Sequence, residues 1–180
     1  MEKEVLMTDP RYPIGKFERP RNLTDEQRIE LIRQIDETPS KLRAMVSGLS
    51  DQQIDTPYRT GGWTVRQVVH HLPDSHLNAY VRIKLALTEQ EPTIRPYNET
   101  LWAELQEARS APIEISLLLL ESLHRRWVLC LRSLKSSDYS RTLRHPDLGL
   151  MMLDDVLALY AWHGRHHVAH IGTLRDRMGW

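Results

Sequence analysis

A chain of 180 residues in which 24 lysines and arginines balance 24 aspartates and glutamates carries no electrostatic footprint for a nucleic acid. A hydrophobic content of 41% and a charged content of 27% belong to a soluble globular domain long enough to bury a sizeable core. The single cysteine excludes an internal disulfide and fits a reducing, cytoplasmic setting. Met1 to Asp9 lack the apolar stretch of a signal peptide, and the apolar run Leu117 to Leu120 is far short of the roughly 18 residues that a membrane span needs.

Residues 1–22 contain Pro10, Pro13 and Pro20 with little periodicity and read as an extended arm on the surface of a domain spanning 23–180. Thr24-Asp25-Glu26-Gln27 fits a capping box and opens the first long helix, with Ile29, Ile32 and Ile35 as its apolar stripe. Pro39 is expected to break or kink that helix before Leu42, Met45, Val46 and Leu49 resume the pattern. Ser50 to Gln53 offers a second cap, for a short turn of helix. Pro57 and Gly61-Gly62 mark a loop, and Thr64 to Gln67 caps a second long helix whose buried face is Val65, Val68, Val69, Leu72, Ala79, Ile83 and Leu87. Pro73 falls inside it. Trp63 is placed to pack over its entrance.

Tyr97 to Ala108 predicts a shorter helix. The third long helix starts near Pro112, lined by Ile115, Leu118, Leu119, Leu123, Trp127, Cys130, Leu131 and Leu134, with the whole Leu117 to Leu120 run read as core, Cys130 as a small buried hydrophobe and His124 as a surface residue. Ser136 to Gly149 is turn-rich, with a weak strand at Ser140 to Arg144 and a turn at His145-Pro146-Asp147. The fourth long helix runs from near Asp154 towards Arg177. Four long amphipathic helices and no convincing sheet predict an all-α four-helix bundle with an extended N-terminal arm.

Seven of the nine histidines fall in two clusters: His70, His71 and His76, then His163, His166, His167 and His170. On the last helix, His163 and His167 are four residues apart and continue the stripe Val156, Tyr160, Ile171, Leu174, Met178, so both imidazoles point the same way. His166 and His170 share a more polar face. In the first cluster, His76 lies nearest the centre of the apolar face, His71 at its edge and His70 towards solvent, so spacing leaves His71 and His76 as competitors. A lone histidine on such a face is more often a hydrogen-bonded core residue than a ligand. Concentrating several at core positions, however, calls for a compensating partner. Three imidazoles around one ion leave a coordination position open, as catalytic sites do. Asp74 is spaced to accept a ring N–H from His70 or His71.

The stretch from Gly61-Gly62-Trp63 through His70-His71-Leu72-Pro73-Asp74 to His76 resembles the DinB-like superfamily, and more closely its YfiT branch of metal-dependent hydrolases. Tyr160-Ala161-Trp162-His163-Gly164-Arg165-His166-His167 resembles that branch's last-helix motif, as do Tyr12 to Gly15 and Arg177 to Trp180 at the two ends. The resemblance implies one divalent metal held by His71, His163 and His167, with zinc the usual ion and nickel the alternative, in a cytoplasmic homodimer. Pro73 departs from the branch, which more often has alanine there.

Three functions follow as expectations. The first is a metal-dependent hydrolase acting on a small-molecule substrate, with a water in the open metal position and His70, His76, Asp74 or His170 as the base. The second, also carried by the superfamily resemblance, is transfer of a low-molecular-weight thiol, such as bacillithiol, onto an electrophile. The third is a non-catalytic module stabilised by its metal.

Overall fold

The computed structural model describes residues 9–180. Within them are seven α-helices: α1 (Asp25–Val46), α2 (Asp51–Ile54), α3 (Val65–Thr88), α4 (Glu99–Ala103), α5 (Gln106–Ser110), α6 (Ile113–Arg132) and α7 (Leu153–Met178). A two-stranded hairpin, β1 (Thr142–His145) and β2 (Gly149–Met152), joins α6 to α7. The four long helices α1, α3, α6 and α7 make the bundle.

Local chemistry sets the helix ends. Thr24, Ser50 and Thr64 each accept from the backbone N–H three residues on, and Gln27, Gln53 and Gln67 return the bond, so all three expected capping boxes form. Gly179 closes α7 at φ +69°, a left-handed cap that side chains disfavour. Pro39 does not break α1, which is continuous through it. The helix loses one backbone donor there, but the Ile35 carbonyl that this donor would have served has a side-chain partner instead, His124 Nδ1 at 2.7 Å. The segment expected as one helix over Tyr97 to Ala108 is two short ones, α4 and α5, and the weak strand is half of a hairpin closed by the expected turn at His145.

The phase of α6 differs from the sequence reading. Ile115, Leu118 and Leu119 are exposed, whereas Leu117, Leu120, His124, Trp127 and Leu131 are buried. Those five positions step by three and four, a narrow stripe. The apolar content of the first two turns had masked it, because leucines occupy both faces. Cys130 is half-buried rather than core. On the first helix, Ile29 faces solvent at 67% exposure while Ile32 and Ile35 are buried, and Met178 at the end of α7 is exposed.

The core is two clusters. Ile35, Ala79, Ile83, Trp127, Leu131, Leu157 and Tyr160 belong to one; Leu42, Val65, Val69, Leu72, Leu120, Ile171 and Leu174 belong to the other. Helices α1 and α7 pass from the first cluster to the second, and α3 and α6 pass the opposite way. Thus α1 and α7 run parallel, and α3 must return through the α4–α5 segment before α6 can repeat its direction. Between the clusters lies a layer to which every long helix contributes: Ile35 to Pro39, His71 to His76, His124, and His163 to His167. Seating α7 against α1 here depends on Gly164, where a methyl group would fall 2.6 Å from Thr38 Oγ1.

Candidate metal centre

His163 and His167 occupy successive turns of α7, so their rings meet edge to face on one side of the helix, with centroids 4.5 Å apart. His71 reaches them from α3. Its Nε2 is 3.3 Å from His163 Nε2, and His167 Nε2 is 3.2 Å from the same atom. The three ligand-capable nitrogens all lie within 4.8 Å of one another. Trp63 packs beside this trio, with its ring 4.7 Å from that of His71 and stacked on His167 at 6.4 Å. The position expected to cover a helix entrance therefore walls the histidines.

The trio opens onto a cavity of about 690 Å³, lined also by Arg11, Tyr12, Tyr58, Arg59, Arg82, Tyr97 and Tyr160. Burial lowers all three imidazole pKa values: His71 to about 4, and His163 and His167 well below the usual 6.5, the last two further depressed by their neighbouring histidines. At neutral pH each ring is therefore uncharged and carries a lone pair, the state a divalent ion requires. The donor set fits such an ion: three convergent imidazole nitrogens, with no carboxylate or thiol among them, suit a first-row divalent metal. The Nδ1 atom of His167 is buried without a hydrogen-bond partner among the described residues.

The remaining histidines divide. His76 does not join the trio; it lies behind it, with Nε2 3.1 Å from His163 Nδ1. His70, expected towards solvent, is buried, its Nδ1 2.6 Å from Ser116 Oγ and its Nε2 3.1 Å from the Ala111 carbonyl. His124, expected on the surface, is 1% exposed and 2.7 Å from His76. Its place on the stripe with Leu120 and Trp127 was the signal that could have found it. His166 and His170 are buried too, under aromatic rings: Trp162 stacks on His166 at 4.3 Å, and Tyr58 on His170 at 4.0 Å.

Asp74 makes no side-chain hydrogen bond to a histidine among the described residues; only its backbone carbonyl is used, by Asn78. Burial pushes its carboxyl up to about 6.

Residues 9–22 form neither helix nor strand and lie along α7. Trp162 Nε1 donates to the Gly15 carbonyl at 3.3 Å, Phe17 packs on Trp162, and His170 Nε2 is 3.3 Å from the Arg11 carbonyl. Arg11 and Tyr12 thereby become part of the cavity wall.

The sequence matches the DinB superfamily over residues 34–171. A relative from Bacillus cereus (strain AH820), named "Putative metal-dependent hydrolase", is 53% identical over 97% of this chain and 100% of its own length. One from Bacillus anthracis (strain A0248) carries the same name at the same identity and coverage. Among solved structures, YfiT from Bacillus subtilis, described as "a probable metal-dependent hydrolase with an unusual four-helix bundle topology", superposes with a TM-score of 0.94 at 48% identity, covering 96% of this chain and 99% of that one. TT2238, a four-helix bundle protein, has a TM-score of 0.54 at 17% identity over 85% of this chain and 99% of its own, a likeness of fold alone.

Proposed function

The chain belongs to the DinB superfamily, and from that premise we propose that it is a metal-dependent hydrolase whose ion is held by His71, His163 and His167. One observation carries this reading: three neutral imidazoles from two helices converge on the wall of an open cavity. The relatives named as metal-dependent hydrolases match 97% of this chain over their own full length. Zinc is the proposed ion, with nickel as the alternative.

A divalent ion with an open position supplies Lewis acidity, polarising a carbonyl or related centre and lowering the pKa of a water towards about 7. The protein's own residues do the rest. Burial keeps the three ligand rings unprotonated, and Trp63, packed against His71 and His167, walls the cavity beside them. Arg82, which lines the cavity, bonds Tyr160 Oη at 3.2 Å and has no carboxylate within salt-bridge distance among the described residues, which supports a substrate bearing an oxygen acceptor. Of the four bases considered from sequence, His76 faces inward, His70 is held by Ser116, and Asp74 lies outside the cavity wall; only His170 lines it.

The test is a panel of esters and amides, some bearing a carboxylate. It is run on chelator-stripped protein and on protein reloaded with zinc or nickel, each with and without added thiols. Turnover that returns with the ion and needs no thiol is expected. Reloaded protein inactive on the whole panel, or active only when a thiol is present, overturns the reading, and the second result moves it to thiol transfer.

A further inference from the structure

The two nitrogens of His163 have opposite surroundings. Nε2 meets the trio. Nδ1 faces the interior, 3.1 Å from His76 Nε2. His76 Nδ1 is in turn 2.7 Å from His124 Nε2, and His124 Nδ1 is 2.7 Å from the carbonyl oxygen of Ile35. A single file of hydrogen bonds therefore crosses the bundle from α1 through α6 and α3 to α7, using one group from each long helix.

Its direction is set at one end. A carbonyl oxygen can only accept, so His124 Nδ1 carries the proton. A neutral imidazole has one N–H, so His124 Nε2 must accept and His76 Nδ1 must donate. By the same step His76 Nε2 accepts, His163 Nδ1 donates, and His163 Nε2 is left bare. The rings are neutral because they are buried with no carboxylate within salt-bridge distance among the described residues. Asp36, the acid that acts on His124 through space, is itself paired with Arg132 at 2.8 Å.

The acceptor exists because of Pro39. In an uninterrupted helix the Ile35 carbonyl would take the N–H of the residue four places on, but proline has none. The helix-breaking residue thus frees one backbone oxygen in the bundle interior, opposite His124.

We propose that His124 and His76 are positioning residues that carry the hydrogen-bond polarity of the Ile35 carbonyl to His163, presetting its Nε2 as a ligand atom before any ion arrives. This inference concerns how the ion's seat is prepared and rests on the ligand assignment made above. Metal-ligating histidines usually donate their second N–H to a carboxylate, carbonyl or water. Here two further imidazoles stand between the ligand and its carbonyl, and aligned dipoles along such a chain strengthen one another. His71 and His167 differ. Both place Nε2 beside the same bare nitrogen, whose single lone pair takes one hydrogen bond at a time in the metal-free protein. To receive an ion, a ring that donates there must lose its proton from Nε2 and carry one on Nδ1, and His167 Nδ1 has no hydrogen-bond partner among the described residues.

The test begins on the unmutated, metal-free chain, by long-range proton–nitrogen NMR of the imidazoles. His124, His76 and His163 are expected as Nδ1–H tautomers; His163 found as Nε2–H overturns the proposal. Zinc affinity is then measured against a competing chelator for the parent, His76→Leu and His76→Gln. The leucine variant is expected to bind about 10–100-fold more weakly. The glutamine variant, whose amide both donates and accepts, is expected to recover most of the loss. A loss under tenfold with leucine, or no recovery with glutamine, overturns it. The tautomer spectrum needs no variant, so it decides the matter even where a variant fails to fold. Should the parent bind no zinc, the metal reading fails while the tautomers still report on the relay.

Discussion

Two pairs of histidines flank the trio, and they are held by different means. The inner pair, His76 and His124, is fixed by hydrogen bonds of 2.7–3.1 Å between helices and has both nitrogens of each ring engaged. The outer pair, His166 and His170, is held by ring stacking and by the arm, and each leaves Nδ1 buried without a partner among the described residues. A hydrogen-bonded chain fixes which nitrogen carries a proton; a stacked ring fixes only a plane. The interior side of the site is therefore organised by the bundle itself, and the cavity side by side chains from α7, the loop before α3 and the arm.

That contrast can be broken at several points. The largest effect is expected at the trio: His163→Ala removes the ligand both pairs frame, and elemental analysis should fall from near one ion per chain to background. His170→Phe, by contrast, should leave the metal content unchanged, since the Tyr58 stack is kept and no trio nitrogen is touched. Loss of the ion in His170→Phe would erase the distinction between the pairs.

Acid comes next. His71 and His124 have folded pKa values near 4 against an ordinary 6.5, so between these limits the unfolded chain binds more protons than the folded one. Metal-free protein should keep its full stability above about pH 6.5 and lose it steadily as pH falls towards 4. Asp74 works the other way: its carboxyl, raised to about 6 from 3.8, adds stability as pH falls through that window. One carboxyl against several imidazoles leaves acid destabilising. Urea midpoints measured across this range check the sign, and a midpoint that is flat or rises from pH 6.5 to 4 would contradict it.

Packing at the layer should be felt less. Gly164→Ala drives a methyl into Thr38 across the α1–α7 contact, an overpacking cost of about 1–3 kcal/mol, read as a drop in urea midpoint. The smallest effect separates the two faces of α6. Leu118→Ser, at a site 53% exposed, should change stability by no more than about 0.5 kcal/mol. Leu120→Ala, fully buried, should cost about 2–5 kcal/mol. Equal costs would restore the helix phase read from sequence.

These residues also show where the sequence was legible. The three capping boxes and the stripe on α7 could be read because each rests on neighbours within a turn. The family motif separated His71 from His76 where spacing did not, and the structure places their rings on opposite sides of His163. His124 was hidden by leucines on both faces of α6, which gave the pattern two possible phases. The fate of Pro39 was hidden for a different reason. A freed carbonyl is penalised locally, and its partner sits 89 residues away, on a helix whose facing side was not yet known. Asp74 failed in the opposite sense: correct spacing for a ring N–H did not decide where its carboxylate would point.

The arm has a practical consequence for anyone handling this protein. Arg19, Gly15, Tyr12 and Arg11 meet α7 at Asp155, Trp162, His166 and His170 in turn, so the chain travels along the last helix and reaches the cavity rim at its upstream end. The described chain therefore begins at Asp9, beside the proposed ion's doorway, with residues 1–8 ahead of it. A polyhistidine tag on the N-terminus would be tethered through those residues to that rim, so its rival imidazoles would compete for the same metal and confound both stoichiometry and turnover. The same tag carried after Trp180 would lie beyond the Gly179 cap, ten residues past His170 along the chain.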